Sequence, residues 1–372
     1  MKALKLAVIG VGHLGRLHAR LLTDMPDVEL VGVADPVASA RDRVAADCRT
    51  TAYADYGPLV GLVDAAIIST PTHSHHAVAL DFLRRGVSLL VEKPLTANLR
   101  EAEELVRTAK RHRAILQVGH IERFNPAFSA AAAHVSEAHY IESVRASGFT
   151  GRSTDIGVVH DLMIHDIDLV LSLVGSPLKS VQALGLAILG RKEDVAQARL
   201  EFENGCVANL SASRVSFSPT PKRQMLVWSA QGFAAIDFGN RSVNVVHPSQ
   251  AVVERKIDFE SLASEQKDAF KERLFREILR VEPLTVEPRN ALADELVEFA
   301  DCVRTARTPR VSGEHGRDAM AVAEAVLKSM HVHPWHGAKQ GPIGPHAVPF
   351  PSILPGPHWQ PALQSGPALE AG

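Results

Sequence analysis

The chain of 372 residues carries 40 lysines and arginines against 42 aspartates and glutamates, a net charge of −2. That length suggests two domains, and a near-neutral chain with no basic stripe among aromatics gives no electrostatic case for nucleic acid. Three well-separated cysteines, Cys48, Cys206 and Cys302, fit a reducing, cytoplasmic setting better than a disulfide framework, and no apolar run approaches the ~20 residues of a membrane span.

The first predicted strand, Leu4–Gly10, leads directly into GVGHLG. The opening MKALKLAVIGVG imitates a short signal peptide, but His13 and Arg16 follow at once and no small-residue cleavage site does. Gly10, Gly12 and Gly15 have the spacing G-x-G-x-x-G, and HLGRLHARLL places apolar residues at helical spacing behind them. A strand, a glycine loop and a helix in that order form a nucleotide-phosphate cradle. Gly10 permits the turn, Gly12 lets a pyrophosphate approach the backbone, and Gly15 lets the helix pack close to the strand. The helix start, with His13 and Leu14, offers free N–H groups and the positive end of a dipole. The next strand, Val28–Asp35, ends in an acid twenty positions after Gly15. A carboxylate there accepts ribose hydroxyls and repels a 2′-phosphate, which favours NAD over NADP. The plainer alternative is that Asp35 opens a turn with Pro36.

Further strands are expected at Ala65–Thr70, Val87–Glu92 and Ile115–Gly119, with helices near Ser74–Arg85 and Leu99–His112. This alternation indicates a doubly wound parallel sheet, a Rossmann domain over residues 1–122. In VEKP, Glu92 and Lys93 close one strand and Pro94 stops it, at the carboxyl edge where such sheets bind ligands. A lysine there can polarise a hydroxyl or the carbonyl it becomes, and a nearby NAD⁺ charge would ease its sharing of a proton. An isolated strand-end lysine is otherwise a surface residue.

Beyond residue 122 the rhythm changes. A helix near Pro126–Val135, a strand near Tyr140–Ser147 and a helix near Val159–Val174 come first. Several strands follow from Ser180 to about Arg255, turning at Asn204-Gly205 and Gln231-Gly232. Strands in succession indicate an antiparallel sheet. Helices near Ser264–Leu279, Ala291–Arg307 and Glu314–His331 complete an α+β domain over 123–332, with a large, mostly antiparallel open sheet. From His333 the chain holds nine of its 22 prolines and no apolar periodicity, and reads as an extended or disordered arm. His331, His333 and His336 could bind a metal, but no cysteine or acid accompanies them.

Within VVHDLMIHDIDLVLSL, an α-helix puts Asp161, His165 and Asp168 on one face, at i, i+4 and i+7. A carboxylate one turn before a histidine can fix its tautomer, as a general base needs. A metal site at His160, Asp161 and His165 and a purely structural pair are the alternatives. Since an NAD site supplies the hydride acceptor, no metal is required.

Together, GVGHLG, STPTHSHH at Ser69–His76, EKP at Glu92–Pro94 and the D-x-x-x-H-D-x-D run at Asp161–Asp168 resemble the glucose–fructose oxidoreductase, inositol dehydrogenase and MocA family of NAD(P)-dependent sugar and cyclitol dehydrogenases. The resemblance covers about residues 4–330. It implies a Rossmann domain, a second domain whose open sheet supports a homo-oligomer, and catalytic roles for Lys93, Asp161 and His165. It also implies that Thr70, Pro71 and His75 pass beside the cofactor. GHIERFNPAF at Gly119–Phe128 and SASRVS at Ser211–Ser216 are similar to family members that oxidise the 3-hydroxyl of UDP-N-acetylglucosamine, a step toward amino-sugar lipid A. Arg123 could then pair with a phosphate and Asn125 bond a sugar hydroxyl or acetamide. Alternatively Arg123 pairs with Glu122 and Asn125-Pro126 starts a helix. The Pro-rich tail and Lys222-Arg223 depart from that likeness. The expected activity is oxidation of a nucleotide-sugar ring hydroxyl, with His165 as base, Asp161 orienting it and Lys93 stabilising the oxygen. A free sugar or inositol dehydrogenase is one rival, and a non-catalytic NAD-binding sensor is another. A methyltransferase with a similar glycine loop is disfavoured by Lys93-Pro94 at a strand end.

Overall fold

The computed structural model describes residues 2–151, 156–217 and 220–334. The amino-terminal half alternates: β1 Leu4–Ile9, α1 His13–Thr23, β2 Val28–Ala34, α2 Ala38–Cys48, β3 Thr51–Tyr53, β4 Ala65–Ile68, α3 Thr72–Leu83, β5 Ser88–Glu92, α4 Leu99–His112 and β6 Leu116–Gly119. The six strands pair in parallel in the order β3-β2-β1-β4-β5-β6. Central strands of such a sheet are covered on both faces, which is why β4 and Leu89–Val91 of β5 are apolar and both strands are buried along their whole length. Helix α4 shows how local sequence fixes an element. Asn98 caps its start by accepting from the Glu101 N–H (3.1 Å), and Lys110, Arg111 and His112 lie in its last turn, against the negative end of the dipole.

The second half contains α5 Pro126–Ala132, β7 Ala138–Ala146, a π-turn at Val159–Met163 running into α6 Ile164–Val174, β8 Leu178–Ala187, β9 Val195–Phe202, β10 Val207–Ser213, β11 Lys222–Ser229, β12 Gly232–Asp237 and β13 Ser242–Pro248. It closes with α7 Gln250–Val253, α8 Ser264–Arg273, β14 Leu279–Leu284, α9 Ala291–Thr305, α10 Gly313–Ser329 and β15 His331–Pro334. Nine strands form one sheet in the order β14-β13-β12-β11-β7-β10-β9-β8-β15. It is antiparallel except where β10 meets β7 and β15 meets β8. One face packs on α5, α6 and α10 in a core that includes Ile141, Ile167, Val170, Leu200 and Met320. The other face is open, so β7 alternates buried Ile141, Ser143 and Arg145 with exposed Val144.

Three expectations shift. The helix expected over Val159–Val174 begins as a π-turn. Helix α9, expected within the second domain, buries Leu296, Phe299 and Ala300 against Leu6, Val8 and Val33 of the Rossmann sheet; the chain crosses back because that face of the sheet needs cover. His333 and Pro334, expected to open the arm, belong instead to the edge strand β15. The rest of that expectation, with His336, falls outside the described residues. No described helix is long and apolar enough to cross a membrane.

Candidate active site

The carboxyl ends of β1, β4 and β5 are neighbours in the sheet, so the glycine loop, Thr70 and Lys93 share one edge. Gly10 has φ +82°, and a Cβ there would lie 2.6 Å from the Ser69 carbonyl oxygen. A Cβ on Gly15 would lie 1.9 Å from the Gly10 carbonyl oxygen. Both positions therefore exclude every other residue. Gly12 differs: it is exposed, and a Cβ would meet nothing within 4 Å. It caps α1, whose first turn, exposing His13 and Leu14, has no side-chain cap. Open space before uncapped N–H groups suits a pyrophosphate. The Asp35 carboxylate is held beside this loop, accepting from the N–H of Val11 (2.9 Å) and of Val37 (2.8 Å).

Pro71 caps α3, and the Thr70 hydroxyl is buried without a partner, a polar group free for a ligand. His75 is buried between the carbonyls of Thr70 (2.8 Å) and Pro94 (3.0 Å). Burial pulls its pKa below the usual histidine value. Its ring ties the loop after β4 to the turn after Lys93. Glu92 lies beneath the edge, where it accepts from buried His18 Nε2 (2.7 Å). Its position is a floor under the cleft, and Gly119 leaves room for it.

Lys93 Nζ donates to the carbonyl oxygen (2.7 Å) and to Oδ1 (3.1 Å) of Asp161. The π-turn carries Asp161 toward the Rossmann edge, and the α-helical register resumes only at Ile164. The expected pairing of Asp161 with His165 is consequently not formed: the carboxylate holds lysine, and no hydrogen bond joins it to the imidazole. His165 Nδ1 is buried without a partner, which leaves Nε2 as the nitrogen open to a ligand. Burial, then the charges of Lys93 and Arg145, hold His165 well below the usual histidine pKa, so it is neutral near pH 7. His120 stands edge-on to it, at 6.3 Å between ring centroids.

The third residue expected on that face, Asp168, is buried and turned to Arg123 (3.5 Å). Burial raises its carboxyl to about 7, against the pull of Arg123. Arg123 also donates to the Arg310 carbonyl (3.3 Å) and makes no pair with Glu122. Both polar atoms of Asn125 are engaged: Oδ1 caps α5 at Ala127 (3.0 Å), and Nδ2 donates to Glu122 (2.9 Å). Sequence reasoning missed Arg145, which is buried on β7. It grips Asp166 through Nε (3.0 Å) and Nη2 (2.9 Å) and Glu122 through Nη1 (2.8 Å). The signal was available, because two acids in the apolar run IHDIDLVLSL demand cationic partners from other elements. Opposite Arg145 in register lies Arg223, on the same face of the sheet. It is exposed, makes no ion pair among the described residues, and its charge reaches His165. Among the described residues, no three His, Cys, Asp or Glu side chains converge on a metal-sized site.

A dinucleotide cradle sharing a sheet edge with a lysine, across from an aspartate and a neutral histidine, defines a class: nicotinamide-dependent oxidoreductases. Residues 4–120 match the oxidoreductase family with an NAD-binding Rossmann fold, and residues 117–233 match the GFO/IDH/MocA C-terminal domain. The chain belongs to this family. It is 36% identical over 321 residues to UDP-N-acetylglucosamine 3-dehydrogenase of Acidithiobacillus ferrooxidans, covering 86% of this chain and 95% of that one. A solved structure of that enzyme superposes with a TM-score of 0.76 at 35% identity, covering 89% of this chain and 98% of the other. The scyllo-inositol 2-dehydrogenase (NAD(+)) of Bacillus subtilis is more distant, 27% identical over 82% of this chain and 88% of its own.

Proposed function

We propose that this oxidoreductase uses NAD to oxidise the 3-hydroxyl of UDP-N-acetylglucosamine or a related nucleotide sugar. The carrying observation is the Lys93–Asp161 pair beside a neutral His165, in a chain similar over most of its length to an enzyme of that name. NAD, when bound, supplies the hydride acceptor, nicotinamide C4. His165 Nε2 takes the hydroxyl proton as the hydride leaves. Lys93 stabilises the charge that grows on the oxygen, and Asp161 fixes the ammonium in place. The orphaned Thr70 hydroxyl and the open ground at Gly12 line the cofactor's path, with Pro71 beside them and His75 and Glu92 holding the loops from below. Asp35 favours NAD, because a 2′-phosphate would meet its carboxylate.

Arg123 and Asn125 support the cleft wall in this reading, since their polar atoms are engaged within the protein. Arg223, exposed and without an ion pair among the described residues, is a cation available to the diphosphate. The open face of the large sheet, with exposed Val144 and the stacked Tyr140, Trp228 and Phe233, supports pairing with a second copy. A chain with this chemistry works in the cytoplasm, where nucleotide sugars and NAD are held.

The test is NADH formation with UDP-N-acetylglucosamine, N-acetylglucosamine and myo-inositol, using NAD and NADP in turn. Turnover confined to the nucleotide sugar and faster with NAD is expected. Turnover with free polyols alone would replace this reading with an inositol or sugar dehydrogenase. Lys93→Ala and His165→Ala should each lower kcat by about 10²–10⁴-fold.

A further inference from the structure

His120 is 1% exposed, and neither of its ring nitrogens has a hydrogen-bond partner. It lies at the end of β6, where its backbone N–H reaches back to Val118 and its carbonyl accepts from Arg123. A buried imidazole without partners is destabilising relative to a satisfied one. Folding alone gives no reason for a histidine here, since an apolar ring would fill the space without that cost.

The reason lies next to it. A base that accepts at Nε2 must carry its own proton on Nδ1, and that N–H needs an acceptor to hold the tautomer. In His165 the Nδ1 atom is sealed from solvent and has none. The carboxylate expected to serve it, Asp161, is taken by Lys93. His120 stands edge-on to His165, with ring planes at 87°. We propose that His120 is the positioning residue for His165: in the NAD-bound enzyme one of its ring nitrogens accepts from His165 Nδ1–H, fixing the tautomer that leaves Nε2 free.

The charged groups around His120 make it suited to that part. Burial first, then Lys93, Arg123 and His315, push its pKa down to about 3, so it keeps an acceptor lone pair throughout the working range. A neutral acceptor also differs from a carboxylate in kind, because it orients the base without strongly stabilising the imidazolium. The centroid separation of 6.3 Å is wider than a direct bond of about 3 Å between nitrogens requires. Such contacts tighten as a cleft closes on its ligands.

The inference rests on His165 acting as the base, and the test separates the two. Nitrogen NMR of the imidazoles in the NAD-bound protein reads the tautomer of His165 without any turnover. In the parent protein His165 should be protonated at Nδ1; in His120→Phe, which keeps the ring volume, it should become a mixture of tautomers. With UDP-N-acetylglucosamine, His120→Phe should lower kcat about 10–100-fold with KM and NAD affinity within about twofold. His120→Gln, which restores an acceptor oxygen, should recover part of that loss. An unchanged His165 tautomer together with full kcat in His120→Phe would overturn the proposal. A changed tautomer with no turnover of any nucleotide sugar by the parent protein would uphold His120 and sink the substrate assignment instead.

Discussion

The glycine loop and helix α6 bound the same cleft and are built in opposite ways. The loop has its shape mainly from close backbone approach: Gly10 and Gly15 are fixed by atoms 2.6 Å and 1.9 Å from where a Cβ would sit, and one charged side chain, Asp35, holds the Val11 N–H. The helix segment is crowded with charge. Asp161 in the π-turn and His165, Asp166 and Asp168 in the first turns of α6 each meet a neighbour from outside the helix: Lys93 after β5, His120 and Arg123 after β6, and Arg145 on β7. A cofactor common to many reactions is held by geometry that side chains would obstruct. In the proposed reaction the alcohol is handled by side chains whose charge states are set by burial and by one another.

The largest effect that would break this contrast is predicted at Arg145. Replacing it by Met leaves Glu122 and Asp166 buried without their cation, and the loss of a buried partner costs about 3–5 kcal/mol. The denaturant midpoint should fall accordingly; a shift within error would mean that the charge network is not what holds α6 on β7. On the loop side, Gly12→Ala meets no atom of the protein, so stability should hold while NAD affinity falls about tenfold or more, a loss of about 1.4 kcal/mol or greater. Titration calorimetry with NAD would show it. Gly15→Ala should fail to fold normally, since its methyl would strike the Gly10 carbonyl. If Gly12→Ala bound NAD normally and Gly15→Ala folded normally, the loop would not be shaped by exclusion.

The same contrast explains what could be read before the structure. Each glycine answers to a local rule about spacing, so the cradle was legible from GVGHLG, as was α4 from its apolar residues at helical spacing over Leu99–His112. The partners of the α6 acids were not. They lie at Arg145 and Arg123, 21 and 45 residues away from Asp166 and Asp168 (166 − 145 and 168 − 123), and pairing over such distances is decided by packing. The π-turn was hidden for a related reason. VHDLM has no Pro or Gly to mark it, and its wider turn is held by tertiary contacts, among them Lys93 on Asp161 and the Val159 N–H on Glu193 (3.2 Å). The three-residue β3 and proline-bearing β14 escaped because neither shows a strand alternation of its own.

The pH dependence of catalysis sharpens the comparison on the side of the helix. Burial and Lys93 lower the His165 pKa, so the base stays neutral, and active, as pH falls through the usual histidine value of 6.5. The acid limb of kcat/KM should accordingly lie below that value, measured with saturating NAD. Lys93→Met removes a cation that opposes protonation of His165, so the limb of its residual activity should move upward. An unmoved limb would remove Lys93 from the electrostatics of the base.

Asp168 is predicted to give the smallest effect, and one confined to stability. Its carboxyl is raised to about 7 by burial, whereas an unfolded chain holds an aspartate near 3.9. Between those values the folded protein keeps a proton that the unfolded chain has released, so rising pH favours unfolding. The stability contributed by the protonated form is complete below the unfolded value and is lost as pH climbs through about 7. Over the last pH unit below 7 the slope is about 1 kcal/mol. Asp168→Asn cannot ionise, so its urea midpoint should gain on that of the parent protein as pH rises through this window, while the two run closer below it. Below about 7 the protonated carboxyl gives Arg123 no counter-charge for the variant to remove, so the difference in slope stays intact. A constant gap between the two proteins across the window would show that Asp168 stays ionised, with Arg123 outweighing burial. In that case the charge network on α6 would be tighter than the 3.5 Å contact implies.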